Sequence, residues 1–427
     1  MSQGMAARAH AEELDARDPL GGYRERFALD DPSLIYLNGN SLGALPLATM
    51  RRLDTMIRAE WGTALARSWD HWVDLPGRAG DLVGQLTGAA PGQTLVTDNT
   101  TVNLYKLAAA ALDARPGRSV IVTDQDNFPS DRYVLEGIAA QRGAELRMLA
   151  TDLNEGLTPE AVRAAVGQDT ALVSLSHVAY RSGALADMAA ITEIAHEAGA
   201  LMLWDLCHSV GAVPIELDDC DVDLAVGCTY KYLNAGPGAP AFLYVADRLG
   251  EVLRQPIWGW FSQRDQFAMG PRYDPADGIA KFMTGTPSIL GTAAVEEGAR
   301  LLLEAGIGAM RAKSTQLTSY LIDLADACLV PLGCALATPR PPGRRGGHVT
   351  FCYPRAEQLV RELAAENIIA DYRTPDRFRF GLAPLTTRFT DVWSAVGAAR
   401  DIIGRHRSAD QRSTDQGGTD HSWGDHG

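Results

Sequence analysis

The stretch GCTYKYLNAGPGAPAF, residues 227–242, decides how this chain folds. An apolar run, DLAVGC (223–228), leads into a single lysine, Lys231, which lies between Tyr230 and Tyr232 and is followed by a Gly- and Pro-rich stretch. A run that is apolar throughout suits a strand buried on both faces. The Gly and Pro residues after it keep an ordinary helix from starting. A lone lysine is ordinarily a solvated surface residue. This one sits where a buried strand ends, between two aromatic rings. Burial disfavours the ammonium form and supplies neutral amine, the state in which a lysine attacks a carbonyl.

Outward from this point the same kind of strand recurs. SVIVT (119–123), Leu146–Leu149, ALVSLS (171–176), LMLWD (201–205), Val222–Cys228 and Ala241–Val245 read as strands. Helical patterns over Leu104–Leu112, Leu135–Arg142, Pro159–Val166 and Met188–Ala198 alternate with them. The rhythm predicts an α/β fold: a large, mostly parallel sheet with helices on both faces. After about Leu290 it changes. Two long helical stretches (Thr292–Ala305 and Met310–Cys328) precede a strand candidate (His348–Tyr353), a helix (Ala356–Glu366), a short strand (Arg377–Gly381) and a final helix (Thr390–Arg405). These predict a smaller α+β C-terminal domain. The expected organisation is an N-terminal segment (1–50) contributing to the small domain and the site, a large domain (51–290), a small domain (291–405) and a tail (406–427). The tail is polar and Gly- and Asp-rich, and is expected to be disordered.

In open α/β sheets ligands bind beyond the carboxyl ends of the strands. The polar residues that follow each strand are therefore the candidates. Asp205 closes LMLWD; it could be a helix N-cap, or a carboxylate held against a cationic ring nitrogen. Thr97–Asn103 (TDNTTVN) precedes the helical pattern at Leu104. It could be simple capping, or an anion site made by free N–H groups and the positive end of the helix dipole. Phe128, Pro129, Ser130 and Asp131 follow SVIVTD and its short loop; an aromatic there could be core, or a plate that stacks on a flat ring. Taken together these parts match one cofactor, pyridoxal 5'-phosphate. A helix start would hold the phosphate, an aromatic the ring face, an Asp the pyridine nitrogen and a Lys the aldehyde. They come in the chain order Thr101, Phe128, Asp205, Lys231, which resembles that of the fold type I pyridoxal-phosphate enzymes.

At this point the sequence resembles the kynureninases. YLNGNSLGALP (36–46), DNTTVNLYK (98–106), DNFPSDRY (126–133), DLCHSVGAVP (205–214) and GCTYKYLNAGPGAPAF (227–242) carry the likeness. So do GWF (259–261), FMTGTPSI (282–289) and RFGLAPL (379–385), and it runs from about residue 20 to 405. The resemblance implies hydrolytic Cβ–Cγ cleavage of L-kynurenine to anthranilate and L-alanine, in tryptophan degradation. It implies that Lys231 carries the cofactor and moves the Cα proton, with Tyr230 sharing proton transfers. Thr100, Thr101 and Tyr230 would meet the phosphate. Phe128 would stack on the ring, with Pro129, Ser130 and Asp131 beside it. Ser176 and His208 would lie near the cofactor, and Asp205 would pair with the pyridinium nitrogen. Trp260 and Thr286 would enter the site from the second subunit of a homodimer. Arg379 would grip the substrate α-carboxylate with a bidentate fork, Arg377 being the alternative two residues away. Ser41 and Trp69 would contact substrate, with Trp72 the alternative to Trp69. Trp69 and Thr286 resemble the kynurenine-preferring type, with 3-hydroxykynurenine a poorer substrate. His71 reads as a surface or rim residue.

The bulk composition fits this reading. The chain has 427 residues, 46% of them apolar and 22% charged, which is ordinary for a globular protein of two to three domains. A formal net charge of −14 disfavours nucleic acid and anionic membranes as partners. The six cysteines, Cys207, Cys220, Cys228, Cys328, Cys334 and Cys352, form no CxxC pair or metal-ligand cluster, so no metal is expected. No apolar run reaches about 18 residues and residues 1–18 have no apolar signal core, which points to a cytoplasmic protein. Two rivals remain. One is a cysteine desulfurase or class V aminotransferase on the same fold. Cys334 lies 103 residues after Lys231, but PLGCALATP lacks the basic residues that would activate its thiol. The other is a non-catalytic cofactor-binding regulator, for which the N-terminal 20 residues are too short to hold a DNA-binding module.

Overall fold

The computed structural model of the chain describes residues 7–417. Its strands are apolar on both faces because successive side chains enter different cores. Val120, Val122, Val173, Leu175, Met202 and Trp204 pack on one face of the large sheet, beside Met188, Ile191 and Ile194 of helix Met188–Glu197. Ile121, Leu172, Leu201, Leu203, Leu224 and Val226 pack on the other, beside Leu104, Leu107, Leu135 and Ile138 of helices Thr100–Asp113 and Pro129–Arg142. The sheet has seven strands, in the order Thr94–Val96, Phe242–Val245, Leu224–Gly227, Leu201–Asp205, Thr170–Ser176, Val120–Asp124 and Glu145–Leu149. All neighbouring pairs are parallel except those made by Phe242–Val245, which is antiparallel to both of its neighbours. The expected mostly parallel sheet with helices on both faces is therefore what the chain forms.

Val120–Asp124 lies between Glu145–Leu149 and Thr170–Ser176. Connections run outward on both sides of it, so this is the topological switch point where a crevice opens. The carboxyl ends of Val120–Asp124, Thr170–Ser176 and Leu201–Asp205 all face that crevice, with Ser176 paired to Asp205 across the last two.

A second sheet has the order Asp371–Arg373, Arg377–Gly381, His348–Cys352, Ala335–Leu336, all antiparallel. Helices Ile307–Cys328, Ala356–Ala365 and Phe389–Gly417 cover it, around Leu317, Leu321, Phe351, Phe378, Leu359 and Val396. The N-terminal helix Arg8–Ala16 docks here through Asp15. Its carboxylate accepts from Phe389 N at 2.7 Å and Thr390 N at 3.1 Å, capping the start of the last helix. Ile35–Tyr36 pairs in parallel with Ile368–Ile369, and Gly381 N donates to Leu37 O at 2.7 Å. A few residues on, Gly43 N donates to Tyr230 O at 2.8 Å. Residues 35–43 thus tie the strand that carries Arg379 to the loop that carries Lys231. Only glycine fits at position 43, because a Cβ there would lie 2.2 Å from Lys231 O and 2.4 Å from Asn234 Oδ1. Gly298, on helix Ile289–Ala305, lets the other side of that loop approach as closely: a Cβ would lie 2.0 Å from Leu233 O.

Three expectations need correcting. The helix expected at Leu104 begins at Thr100, with Asn99 as its N-cap accepting from Val102 N at 3.0 Å. The helix expected at Leu135 begins at Pro129, a residue suited to the first helical position. The last helix runs to Gly417 instead of ending at Arg405, so residues 406–417 of the expected disordered tail are helical. That stretch has no proline, and no glycine before 417, so nothing in it breaks the helix that enters it from Arg405. Residues 418–427 of the tail lie outside the described residues.

Candidate active site

Where the strands end, a cavity of about 160 Å³ opens. One wall is the helix start, Asn99, Thr100 and Thr101. The second is Phe128, Ser130 and Asp131, delivered by the turn after Val120–Asp124 and the first turn of the next helix. Asp205, Cys207 and His208 follow strand Leu201–Asp205, while Cys228, Tyr230 and Lys231 follow Leu224–Gly227. Lys231 is only 8% exposed. Its Nζ lies 3.0 Å from His208 Nε2 and 5.9 Å from the ring centres of both Phe128 and Tyr230. The Phe128 ring stands edge-on to Tyr180 at 5.2 Å. Asn127 places Phe128 by accepting from its backbone N at 2.8 Å.

Two carboxylates share the floor. Asp205 Oδ1 accepts from Cys207 N at 2.8 Å, and Oδ2 from Ser176 Oγ at 3.3 Å. Ser176 Oγ also lies 2.7 Å from Asn127 Oδ1, so it sits behind Asp205 and does not line the cavity. Asp131 is buried and its Oδ2 has no partner. Burial, and then the Asp205 charge, push Asp131 well above the usual carboxylate range. Burial, and then the Lys231 charge, drive His208 well below its ordinary value. Its imidazole is neutral and can accept from the lysine. Burial works against the Lys231 ammonium, but the acidic groups around it, Cys228, Cys207 and Asp205, outweigh that and raise its pKa. Burial also raises Tyr230, which keeps its phenolic proton.

Thr100, Thr101, Phe128, Ser130, Asp131, Asp205, His208, Tyr230 and Lys231 thus meet in one cavity. Pro129 starts the helix beside it. The other expected positions stand apart from this wall. Ser41 is half-buried in the segment that leads to Gly43. Trp69 is half-buried, edge-on to Trp72 at 5.5 Å and 6.1 Å from Phe261. Trp72 is buried and donates to Glu60 Oε2 at 2.6 Å, and His71 is exposed beside the same carboxylate. Trp260 and Thr286 are exposed. Arg379 is fully buried, donating to Asp371 and to the Tyr180 carbonyl; its charge acts on Lys231, His208 and His348. Arg377 instead donates to Asn154 Oδ1 at 2.8 Å and Leu153 O at 3.3 Å. Cys334 is 4% exposed in the small-domain core, and burial pushes its thiol up to about 12. It cannot offer the thiolate that a desulfurase needs.

Sequence reasoning missed several neighbours. Cys207 and Cys228 line the cavity, Cys228 N donating to Cys207 Sγ at 3.1 Å. His348 lies 5.5 Å from His208, buried, with both ring nitrogens unpartnered. Its only sequence signal is a histidine opening the strand that pairs with the Arg379 strand. Lys106, fully buried, donates to Asp98 Oδ2 at 2.7 Å and Phe282 O at 2.6 Å, holding the helix start against the segment that precedes Thr286.

The residues present fit pyridoxal phosphate. Asp131 and Asp205 put two buried carboxyls beside one lysine, and the unpartnered Asp131 Oδ2 marks an unmet demand for a donor. A protonated ring nitrogen set against Asp205 would bring the positive charge that this pair of buried carboxyls lacks. Asn99, Thr100 and Thr101 offer hydroxyls and helix N–H groups to a phosphate, and Phe128 offers a ring face. Among the described residues no group of three or more His, Cys, Asp or Glu could hold a metal ion.

Comparison with known proteins agrees. The family described as Aminotransferase class-V matches residues 77–370. A kynureninase from Pseudomonas fluorescens is 43% identical over 409 residues, covering 94% of this chain and 96% of its own. One from Burkholderia pseudomallei (strain 1106a) is 44% identical over 407 residues, covering 93% and 96%. Among solved structures, cysteine desulfurases from Escherichia coli and Thermococcus onnurineus NA1 give TM-scores of 0.78 and 0.76. They are each 18% identical, covering 90% and 92% of this chain and 98% of their own, a likeness of fold alone. With relatives this similar over nearly its whole length, the chain belongs to the kynureninases, within the class-V aminotransferase family.

Proposed function

We infer that the protein is a pyridoxal-phosphate hydrolase that cleaves the Cβ–Cγ bond of L-kynurenine to give anthranilate and L-alanine. The observation that carries this is the convergence of Lys231, Asp205, Asp131, Phe128 and the Thr100–Thr101 helix start in one cavity of a chain built like the kynureninases. When bound there, the cofactor supplies an aldehyde for amines and a ring that accepts the electron pair released at Cα. Lys231 Nζ would hold the aldehyde, and once displaced by the substrate amine would move the Cα proton. His208, at 3.0 Å and neutral, keeps that nitrogen oriented by accepting a hydrogen bond from it. Asp205 would keep the ring nitrogen protonated, and Ser176 and Cys207 N hold its carboxylate in place. Thr100, Thr101 and Tyr230 would bind the phosphate, with Phe128 against the ring and Pro129, Ser130 and Asp131 beside it. Tyr230, whose phenol stays protonated, would share in proton transfer to the side-chain ketone.

Arg379 is proposed to take the substrate carboxylate, with Ser41 nearby. Trp69 and Thr286 support kynurenine as the better substrate and 3-hydroxykynurenine as the poorer. A homodimer is proposed in which Trp260 and Thr286 complete the partner's cavity. Both are exposed and lie off this chain's own cavity wall. Trp61, Leu65, Trp258, Phe267 and Met269 are each at least 59% exposed, apolar surface that a second subunit would cover. All six cysteines are free, which suits a reducing cytoplasm. No helix of the described residues is long and apolar enough to cross a membrane.

The test is turnover of L-kynurenine and 3-hydroxy-L-kynurenine by purified, cofactor-loaded protein, read by anthranilate fluorescence and alanine release. Efficient cleavage of kynurenine, with weaker use of the hydroxylated form, is expected. A yellow protein inert to both would overturn the reading.

A further inference from the structure

We propose that Asp371 is a positioning residue for substrate binding, holding the Arg379 guanidinium so that its free N–H edge meets an amino-acid carboxylate. The proposal rests on the reading of Arg379 as the carboxylate grip. Strand Asp371–Arg373 pairs antiparallel with Arg377–Gly381, and the register sets Asp371 directly opposite Arg379. Residues opposite one another across an antiparallel pair present their side chains on the same face. Asp371 Oδ2 accepts from Arg379 Nη2, and Asp371 Oδ1 accepts from Arg373 Nη1 at 2.7 Å. The carboxylate is therefore held from two sides. Arg379 Nη1 donates to the Tyr180 carbonyl.

A guanidinium has five N–H donors. These two contacts use two of them. The Nε–H has no partner, although the side chain is fully buried. An unsatisfied buried donor is costly, and a carboxylate arriving at the Nε–Nη2 edge relieves that cost with a bidentate fork. Asp371 and Tyr180 O fix the plane of the guanidinium, so this unpartnered edge is set before substrate arrives. The Arg379 charge already acts on Lys231 and His208, so the guanidinium lies within electrostatic reach of the reacting end of the site. Without Asp371, nothing on the strand pair would fix that plane.

The test uses full-length, cofactor-loaded enzyme carrying Asp371→Asn, which keeps shape and loses charge. Two ligands are compared: L-kynurenine, and its decarboxylated amine, which lacks the carboxylate. The expected result is a KM for kynurenine raised about 10- to 100-fold, with kcat within about threefold. Affinity for the amine, read from the bound cofactor's absorbance, should not change. Kynurenine KM unchanged, or the amine weakened as much as kynurenine, overturns the proposal and leaves Asp371 a structural counter-ion. Should Asp371→Asn not yield folded enzyme, Asp371→Glu retains the charge but displaces it by one methylene. It should raise kynurenine KM and spare the amine, and equal effects on both overturn the proposal. Arg379→Ala separates the two ideas: if it fails to discriminate kynurenine from the amine, the carboxylate-grip reading itself falls. If it discriminates and the Asp371 variants do not, only the role of Asp371 falls.

Discussion

Asp205→Asn asks how much of the activity rests on one negative charge. The substitution is close to isosteric, and the local fold can absorb it. The amide oxygen can still accept from Cys207 N, now 2.8 Å from Asp205 Oδ1. The Ser176 hydroxyl, 2.7 Å from Asn127 Oδ1, can donate there and accept from the new amide. Stability should therefore change by no more than about 1 kcal/mol. Chemistry should change far more. Asp205 is 6% exposed, so little water screens its charge. Losing an ionised partner for a ring N–H removes about 1.5–3 kcal/mol as a charge-assisted hydrogen bond. Where the pair is buried, the loss reaches about 3–5 kcal/mol. An amide N–H pointing at the ring nitrogen also favours the unprotonated ring, which is the wrong state for taking up electrons. At 1.36 kcal/mol per factor of ten, kcat/KM should fall by about one to nearly four powers of ten. The assay is anthranilate fluorescence on protein whose cofactor content is measured by absorbance, with a melting curve alongside. A variant that keeps its full cofactor and its Tm, and whose kcat/KM stays within about threefold of the wild type, would refute the role given to Asp205.

Lys231→Ala should still take up cofactor through the helix start and Phe128, but should yield no bond to the protein that borohydride can reduce; mass spectrometry finding a reduced adduct on another lysine would move the anchor there. Asp131 bears on pH. Its carboxyl is raised well above the ordinary range by burial and by Asp205, so the stability it contributes is full below the unfolded value and is lost as pH rises toward the folded one. Asp131→Asn should therefore raise the Tm of cofactor-free protein relative to wild type more at pH 8 than at pH 4, and an equal difference at both would count against the raised Asp131 carboxyl. Gly43→Ala puts a Cβ 2.2 Å from Lys231 O. Overpacking of this kind costs about 1–3 kcal/mol, and because the displaced backbone carries the lysine, activity should fall together with Tm; unchanged activity would show that the Lys231 loop is not held by this contact.

Residues that obey one local rule were legible in the sequence, and residues that answer to the cavity were not. LMLWD was read as Leu201–Asp205 and forms that strand, because four apolar residues buried on both faces end abruptly in a carboxylate. Arg377–Gly381 was likewise read with its observed bounds. The two misplaced helix starts share a cause. Thr100 and Thr101, and Ser130 and Asp131, occupy first turns whose side chains face the cavity. They break the apolar periodicity that marks a helix, so that pattern begins a turn too late. Strands of two or three residues, such as Ile35–Tyr36 and Asp371–Arg373, are too short to show any period. They depend on long-range pairing with Ile368–Ile369 and Arg377–Gly381.

The same reasoning explains why Lys231 stood out and Arg379 did not. Lys231 sits just past a run apolar throughout and between two aromatic rings, so its cost is visible locally and calls for an explanation. Arg379 sits in RFRFG, where alternation lets an arginine pass as the solvent face of an edge strand. Its strand instead lies between Asp371–Arg373 and His348–Cys352, and Asp371 and the Tyr180 carbonyl take its donors. None of these neighbours is predictable from the spacing around residue 379. A buried arginine is readable only once its counter-carboxylate is known to lie opposite, and that depends on the strand register. The resemblance to kynureninases named Arg379, but the physical reason it can be buried is a partner eight residues away on the neighbouring strand.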